Sequence, residues 1–144
     1  GTLGYLLAKD DEPVETVLEG TWVDPDTGEF FAFEYGAFEY GMLAETGDGG
    51  RAWRVAASGR IEFPEGEESG RADLVIDAVA EPETGLATGQ RLPAIFAVVE
   101  ERDEAGTVVD ALYLHVGWNG VRPEGYEGSN SPYYPVALFG EARR

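Results

Sequence analysis

The stretch Glu29-Phe30-Phe31-Ala32-Phe33-Glu34-Tyr35-Gly36-Ala37-Phe38-Glu39-Tyr40-Gly41-Met42-Leu43-Ala44 decides the fold. It is rich in aromatic residues, which favour extended chain, and a Gly breaks it in the middle. We read it as two strands, Glu29 to Tyr35 and Phe38 to Ala44, joined at Gly36-Ala37. Gly at the first central position suits a type II′ turn. The tetrapeptide Phe33-Glu34-Tyr35-Gly36 returns as Phe38-Glu39-Tyr40-Gly41. That odd offset would put the copies on opposite faces of one continuous strand. A hairpin resolves this by pairing Phe33 with Tyr40 and Glu34 with Glu39.

The same rhythm continues on both sides. Upstream, Thr16 to Val23 is a strand, and Asp24-Pro25-Asp26-Thr27-Gly28 is a turn. Downstream, Arg51 to Ala57 and Arg60 to Phe63 flank a tight turn at Ser58-Gly59. Ala72 to Ala80 alternates, with Leu74, Ile76 and Ala78 on one face and Asp73 and Asp77 on the other. Pro93 to Glu101 and Thr107 to Val116 make a long hairpin, and Tyr133 to Phe139 is the last strand. No segment sustains a helical period. The expected fold is all-β: an eight- to nine-stranded antiparallel up-and-down meander barrel, with an antiparallel β-sandwich as the alternative. Residues 1–15 form an N-terminal segment, extended or a short helical turn. Residues 16–144 form a single barrel domain.

Composition narrows function by exclusion. The chain has 144 residues, 10 basic and 28 acidic, for a formal charge of -18. Such a surface repels phosphate backbones, so nucleic acid is not an expected partner. With no Cys and one His, disulfides, thiolate chemistry and multi-histidine metal sites are excluded. No apolar run is long enough for a membrane-spanning helix. No cofactor is implied. The acidity fits salt adaptation, a basic partner, or the composition of a GC-rich genome with Lys9 as its single lysine. The start at Gly1 lacks a basic leader; read as a trimmed chain, it favours an extracytoplasmic setting, and the compartment itself stays open.

At Leu18-Glu19-Gly20-Thr21-Trp22 the sequence resembles the lipocalins and wider calycin barrels, which carry Gly-x-Trp on their first strand. Phe31 to Phe38 looks like the second strand and turn of small bacterial lipocalin-like domains. The resemblance implies an up-and-down barrel in which Trp22 plugs one end beside Gly20. It also implies that a late Arg, here Arg143 or Arg144, packs over the indole. The Thr-Asp-Tyr-like motif of that family is absent. Gly-Thr-Trp also opens nitrobindin-like haem barrels, but Val23-Asp24-Pro25 replaces their Gly-rich repeat.

Candidate site residues follow from residue chemistry. The segment from His115 to Pro135 frames Trp118, Tyr126, Tyr133 and Tyr134 with Gly and Pro. Such a loop suits stacking on a flat ligand or closing the mouth of a barrel. With Phe33, Tyr113 and His115, these make the expected ligand-binding set. His115, the lone imidazole, is a general base or ligand on one reading and a hydrogen-bonded strand residue on the other. Asp24 and Asp26 have the spacing of a calcium loop, but Tyr35 stands where its last carboxylate would be, so a plain turn is preferred. Glu34 and Glu39, if opposed, are a carboxylate pair or two solvated side chains. Glu62 to Glu68 reads as a solvated charge run.

The leading expectation is a non-enzymatic module that holds a small apolar or aromatic ligand. Second is an acidic interaction domain that meets a basic partner or a second copy of itself. Third is a small barrel enzyme using a carboxylate with Tyr or His115.

Overall fold

The computed structural model describes residues 16–139. Eight antiparallel strands follow in order: β1 (Gly20–Val23), β2 (Glu29–Glu34), β3 (Ala37–Glu45), β4 (Arg51–Glu62), β5 (Arg71–Val79), β6 (Arg91–Arg102), β7 (Val108–Val116) and β8 (Tyr134–Pro135). Strands β1 to β7 form a meander, each paired with the next. The last segment nearly closes it into a barrel. Tyr133 exchanges both backbone hydrogen bonds with Leu112 of β7, at 2.7 and 2.8 Å. The next two residues, Tyr134 and Pro135, pair with Val23 and Trp22 of β1. One short stretch thus covers two strand edges that would otherwise be open.

The central hairpin has a different register from the one its composition suggests. Tyr35-Gly36 is the loop, with φ of 49° and 84°. Two successive positive φ values make a type I′ turn, whose twist matches the strands. Phe33 therefore faces Phe38, Glu34 faces Ala37, and Glu39 faces Ala32. The two carboxylates are not opposed, which removes a like-charge pair. The two phenylalanines meet instead, both buried.

Ser58-Gly59 is not a turn either. Strand β4 runs unbroken through it, with a register shift against β5 at that point. Any side chain on Gly59 would run into the Val75 carbonyl, so the Gly permits close strand approach at a bulge. The first and last predicted strands are also shorter. Pairing begins at Gly20 rather than Thr16, and Val136–Phe139 is a 3-10 turn.

Alternation fills the lumen with side chains. Leu18, Trp22, Phe31, Phe33, Phe38, Ile61, Leu74, Ile76, Leu92, Phe96, Leu112, Leu114 and Tyr133 belong to one buried cluster. A second cluster lies outside β1 and β2, where Val23, Phe30 and Ala32 pack with Trp53, Val55 and Val136. The Phe30 and Trp53 rings meet edge to face, 4.8 Å apart. This outer layer explains why Phe30 to Phe33 is apolar on both faces. At one end Leu18 is fully buried, and its carbonyl accepts the Trp22 indole N–H at 2.8 Å. That end also holds the Phe63–Phe96 contact. The opposite end carries the loops after β1, β3, β5 and β7, and polar groups enter the lumen there.

Candidate functional site

Glu29 starts β2 with the parity of Phe31 and Phe33, so its carboxylate enters the lumen at the loop-bearing mouth. Tyr40 of β3 lies opposite Phe31, and its hydroxyl donates to Glu29 Oε2 at 2.8 Å. The Asn130 amide donates to Glu29 Oε1 at 2.9 Å, and the Tyr133 hydroxyl makes a very short hydrogen bond to the same oxygen. Burial raises both tyrosine pKa values well above the ordinary phenol value, and the Glu29 charge and hydrogen bonds raise them further. Both hydroxyls are therefore fixed donors at neutral pH.

The aromatic rings wall this carboxylate. Phe31 lies 4.9 Å from Tyr40 and 5.5 Å from Tyr133, centroid to centroid. Trp118 follows β7, where the Gly117 N–H donates to the Pro93 carbonyl at 2.7 Å and the Gly120 N–H turns back onto Gly117. This turn lays the indole over Tyr40 at 4.9 Å with 41% of Trp118 exposed. Trp118 then borders three spaces, one of them of about 390 Å³ between Val116, Val121 and Pro123, and the other two at the Glu29 mouth. Of those two, one of about 70 Å³ reaches Glu29 and Tyr133. The other, of about 380 Å³, opens outward between Tyr40, Trp118 and the β5–β6 loop residues Thr84, Leu86 and Gln90.

The ligand-binding set read from the sequence is divided by the fold. Phe33 is a core residue stacked beside Phe31. Tyr133 and Trp118 meet at the mouth. Tyr113, Tyr126 and Tyr134 belong to the outside, while His115 borders the small space that also reaches Glu29, Trp118 and Tyr133. Tyr113 and Tyr134 both donate to Glu101 at 2.9 Å, and Tyr126 meets Tyr113 edge to face. The Glu101 hydrogen bond raises the Tyr113 pKa, while burial, then Glu101, pushes Tyr134 up to about 12. His115 Nδ1 lies 2.6 Å from the Gly125 carbonyl. A carbonyl only accepts, so this nitrogen carries the proton and the imidazole fastens the long loop.

Tyr40, Glu29 and three loop residues escaped the sequence reading. Glu29 looked like a strand-start residue. Asn130 and Ser131 looked like loop filler, yet Ser131 Oγ bonds both the N–H and the carbonyl of Leu114. Arg122 anchors the long loop by donating to the Ala72 and Ala94 carbonyls at 2.9 and 2.7 Å and to Asp73 at 2.7 Å. A local pattern carries no signal for partners 28 to 50 residues away.

The remaining candidates resolve into local structure. Asp24 accepts from the Asp26 N–H at 3.0 Å and the Thr27 hydroxyl at 2.7 Å, which builds the turn. No group of three or more His, Asp or Glu among the described residues is placed to hold a metal ion. Gly20 opens β1 and is exposed, and Trp22 is buried in the core with its indole N–H on the Leu18 carbonyl; Arg143 lies outside the described residues. No helix among the described residues is long and apolar enough to cross a membrane. No family model matches the chain, and no curated protein or solved structure matches it.

Proposed function

We propose that this protein is a non-enzymatic binding module that takes a small aromatic ligand at the mouth of a lipocalin-like barrel, not deep in the lumen. One observation carries the reading: Trp118, two-fifths exposed, is held over Tyr40 as one wall of a pocket of about 380 Å³. Such a pocket suits a one- or two-ring molecule, with Leu86 for apolar contact and Gln90 and Thr84 for its polar edge. The filled lumen argues for the mouth over the interior. The reading is non-enzymatic because the polar groups are already committed. Glu29 accepts three hydrogen bonds, and the His115 proton is given to Gly125.

A screen of small aromatic molecules by two-dimensional NMR tests this. The expected result is a hit that moves the Trp118 indole and the amides of Gly85 and Gln90 and is lost in Trp118→Ala. Hits that move only other surfaces, or none at all, refute it.

A second reading rests on the outer face of β1 to β4. A groove of about 770 Å³ there is lined by Glu19, Glu34, Glu39 and Asp77 over Gly20, Ala32, Ala37 and Gly59. On this reading the domain meets a basic partner, and association weakens as salt rises. A complex whose affinity ignores salt sinks it.

A further inference from the structure

Glu29 is the one element of the mouth that a neutral ligand would not explain. Its three donors, the Tyr40 and Tyr133 hydroxyls and the Asn130 amide, are all uncharged. Among the described residues, no cationic side chain is paired with it. The same barrel treats another carboxylate, nearly buried on the outer face of β5, differently. Asp73, 7% exposed, has two guanidinium partners, Arg122 at 2.7 Å and Arg91 at 3.1 Å. A half-buried carboxylate is costly without a counter-charge.

The surroundings of Glu29 suit a particular counter-charge. Tyr40, Tyr133, Phe31 and Trp118 form linked aromatic contacts beside it at 4.9 to 5.5 Å. Ring faces attract ammonium groups, most strongly when desolvated. A carboxylate has about four acceptor positions, so three hydrogen bonds leave room for one more donor. Trp118 is the wall shared by the outer pocket and the small space that reaches Glu29. A formal charge of -18 raises the local concentration of cations around the molecule.

We propose that the mouth recognises an organic ammonium ion, its aromatic body in the outer pocket and its cationic head directed past Tyr40 and Trp118 towards Glu29. This rests on the mouth being a binding site, and it adds the charge of the ligand. No bond is made or broken. The ammonium is the counter-ion that no described residue supplies to Glu29.

The test compares benzylammonium with benzyl alcohol, a neutral molecule of nearly the same shape, at physiological ionic strength. Titrations follow the Trp118 indole N–H, assigned by Trp118→Phe. Benzylammonium should bind about tenfold or more tightly than benzyl alcohol. In Glu29→Gln, checked for a dispersed spectrum, the two affinities should converge. Equal affinity of both probes for the native protein overturns the cation inference and leaves aromatic binding standing. A cation preference that survives Glu29→Gln overturns it too, because the general acidity of the surface is then its source. If neither probe moves Trp118, both the inference and the binding site fail. Should Glu29→Gln not fold, tetramethylammonium on the native protein decides. Shifts concentrated at Trp118 and Tyr40 support the inference, and equal shifts around Glu34 and Glu39 overturn it.

Discussion

Arg122 shows how much of this protein depends on single polar residues. Its guanidinium satisfies two strand carbonyls and the nearly buried Asp73. Arg122→Ala would leave Asp73 with Arg91 as its remaining guanidinium partner and remove one partner from each carbonyl. The expected loss is about 2–3 kcal/mol, the range for a buried charged hydrogen-bond partner. Urea denaturation checks this, and Arg122→Lys should recover only part, since a point charge cannot match the fork. The tyrosines set an alkaline limit. Tyr134 is raised from 10.0 to about 12, and Tyr40 and Tyr133 shift in the same direction. The folded state therefore holds these protons more tightly than the unfolded chain. Their stabilisation is complete below the unfolded value of 10.0 and is lost as pH rises through about 12 for Tyr134. The measured Tm should be flat through neutrality and fall above about pH 10. A Tm unchanged up to pH 12 would contradict the assignment.

At the scale of elements, the β2–β3 hairpin is where local sequence and register part company. Tyr35 holds a φ of 49°, which Asn accepts more readily than Tyr. Asn-Gly is the preferred type I′ pair. Tyr35→Asn should raise stability by about 0.5–1 kcal/mol, because Tyr35 is half exposed and its backbone N–H to Glu19 is kept. A lower Tm in this variant would show that the Tyr35 ring contributes more than its backbone costs. Aromatic residues on either side of a Gly made both hairpin strands legible, and which residues share a face survives a shift of register by two residues. The loop position did not follow from this. Gly36-Ala37 and Tyr35-Gly36 both place Phe33 and Phe38 on one face, and it is the positive φ of Tyr35 and Gly36, with Phe33 directly facing Phe38, that separates the two solutions. Likewise Gly59 offered the same letter for a turn and for a bulge. The nearby Val75 carbonyl decides which.

For the whole molecule, closure rests on three consecutive residues. Tyr133 bonds β7, Tyr134 and Pro135 bond β1, and the two tyrosine hydroxyls reach carboxylates on opposite faces of the wall, Glu29 inside and Glu101 outside. Ending the chain at Pro132 would strip a buried ring from the core and expose the edges of β1 and β7 together. That variant should lose dispersed NMR signals and aggregate as salt screens its net charge. A soluble truncated chain with a native spectrum would show that the meander needs no closing segment. The all-β class, the meander order and the shared face of Leu74 and Ile76 on β5 were legible in the sequence alone, whereas β7, apolar on both faces, was not. Strand alternation and turn residues act over a few positions, and the linear chain carries that information in full. The mouth was settled only by tertiary structure. Glu29, Tyr40, Trp118, Asn130 and Tyr133 come from β2, β3 and the long loop after β7, and the chemistry of the group exists only once the barrel closes. Tyr133 and Tyr134 are adjacent and chemically identical, yet one faces the lumen and the other the outside. Which one reaches the site is fixed by the pairing of that segment with β7 and β1, a contact between chain positions too distant for any local pattern to record.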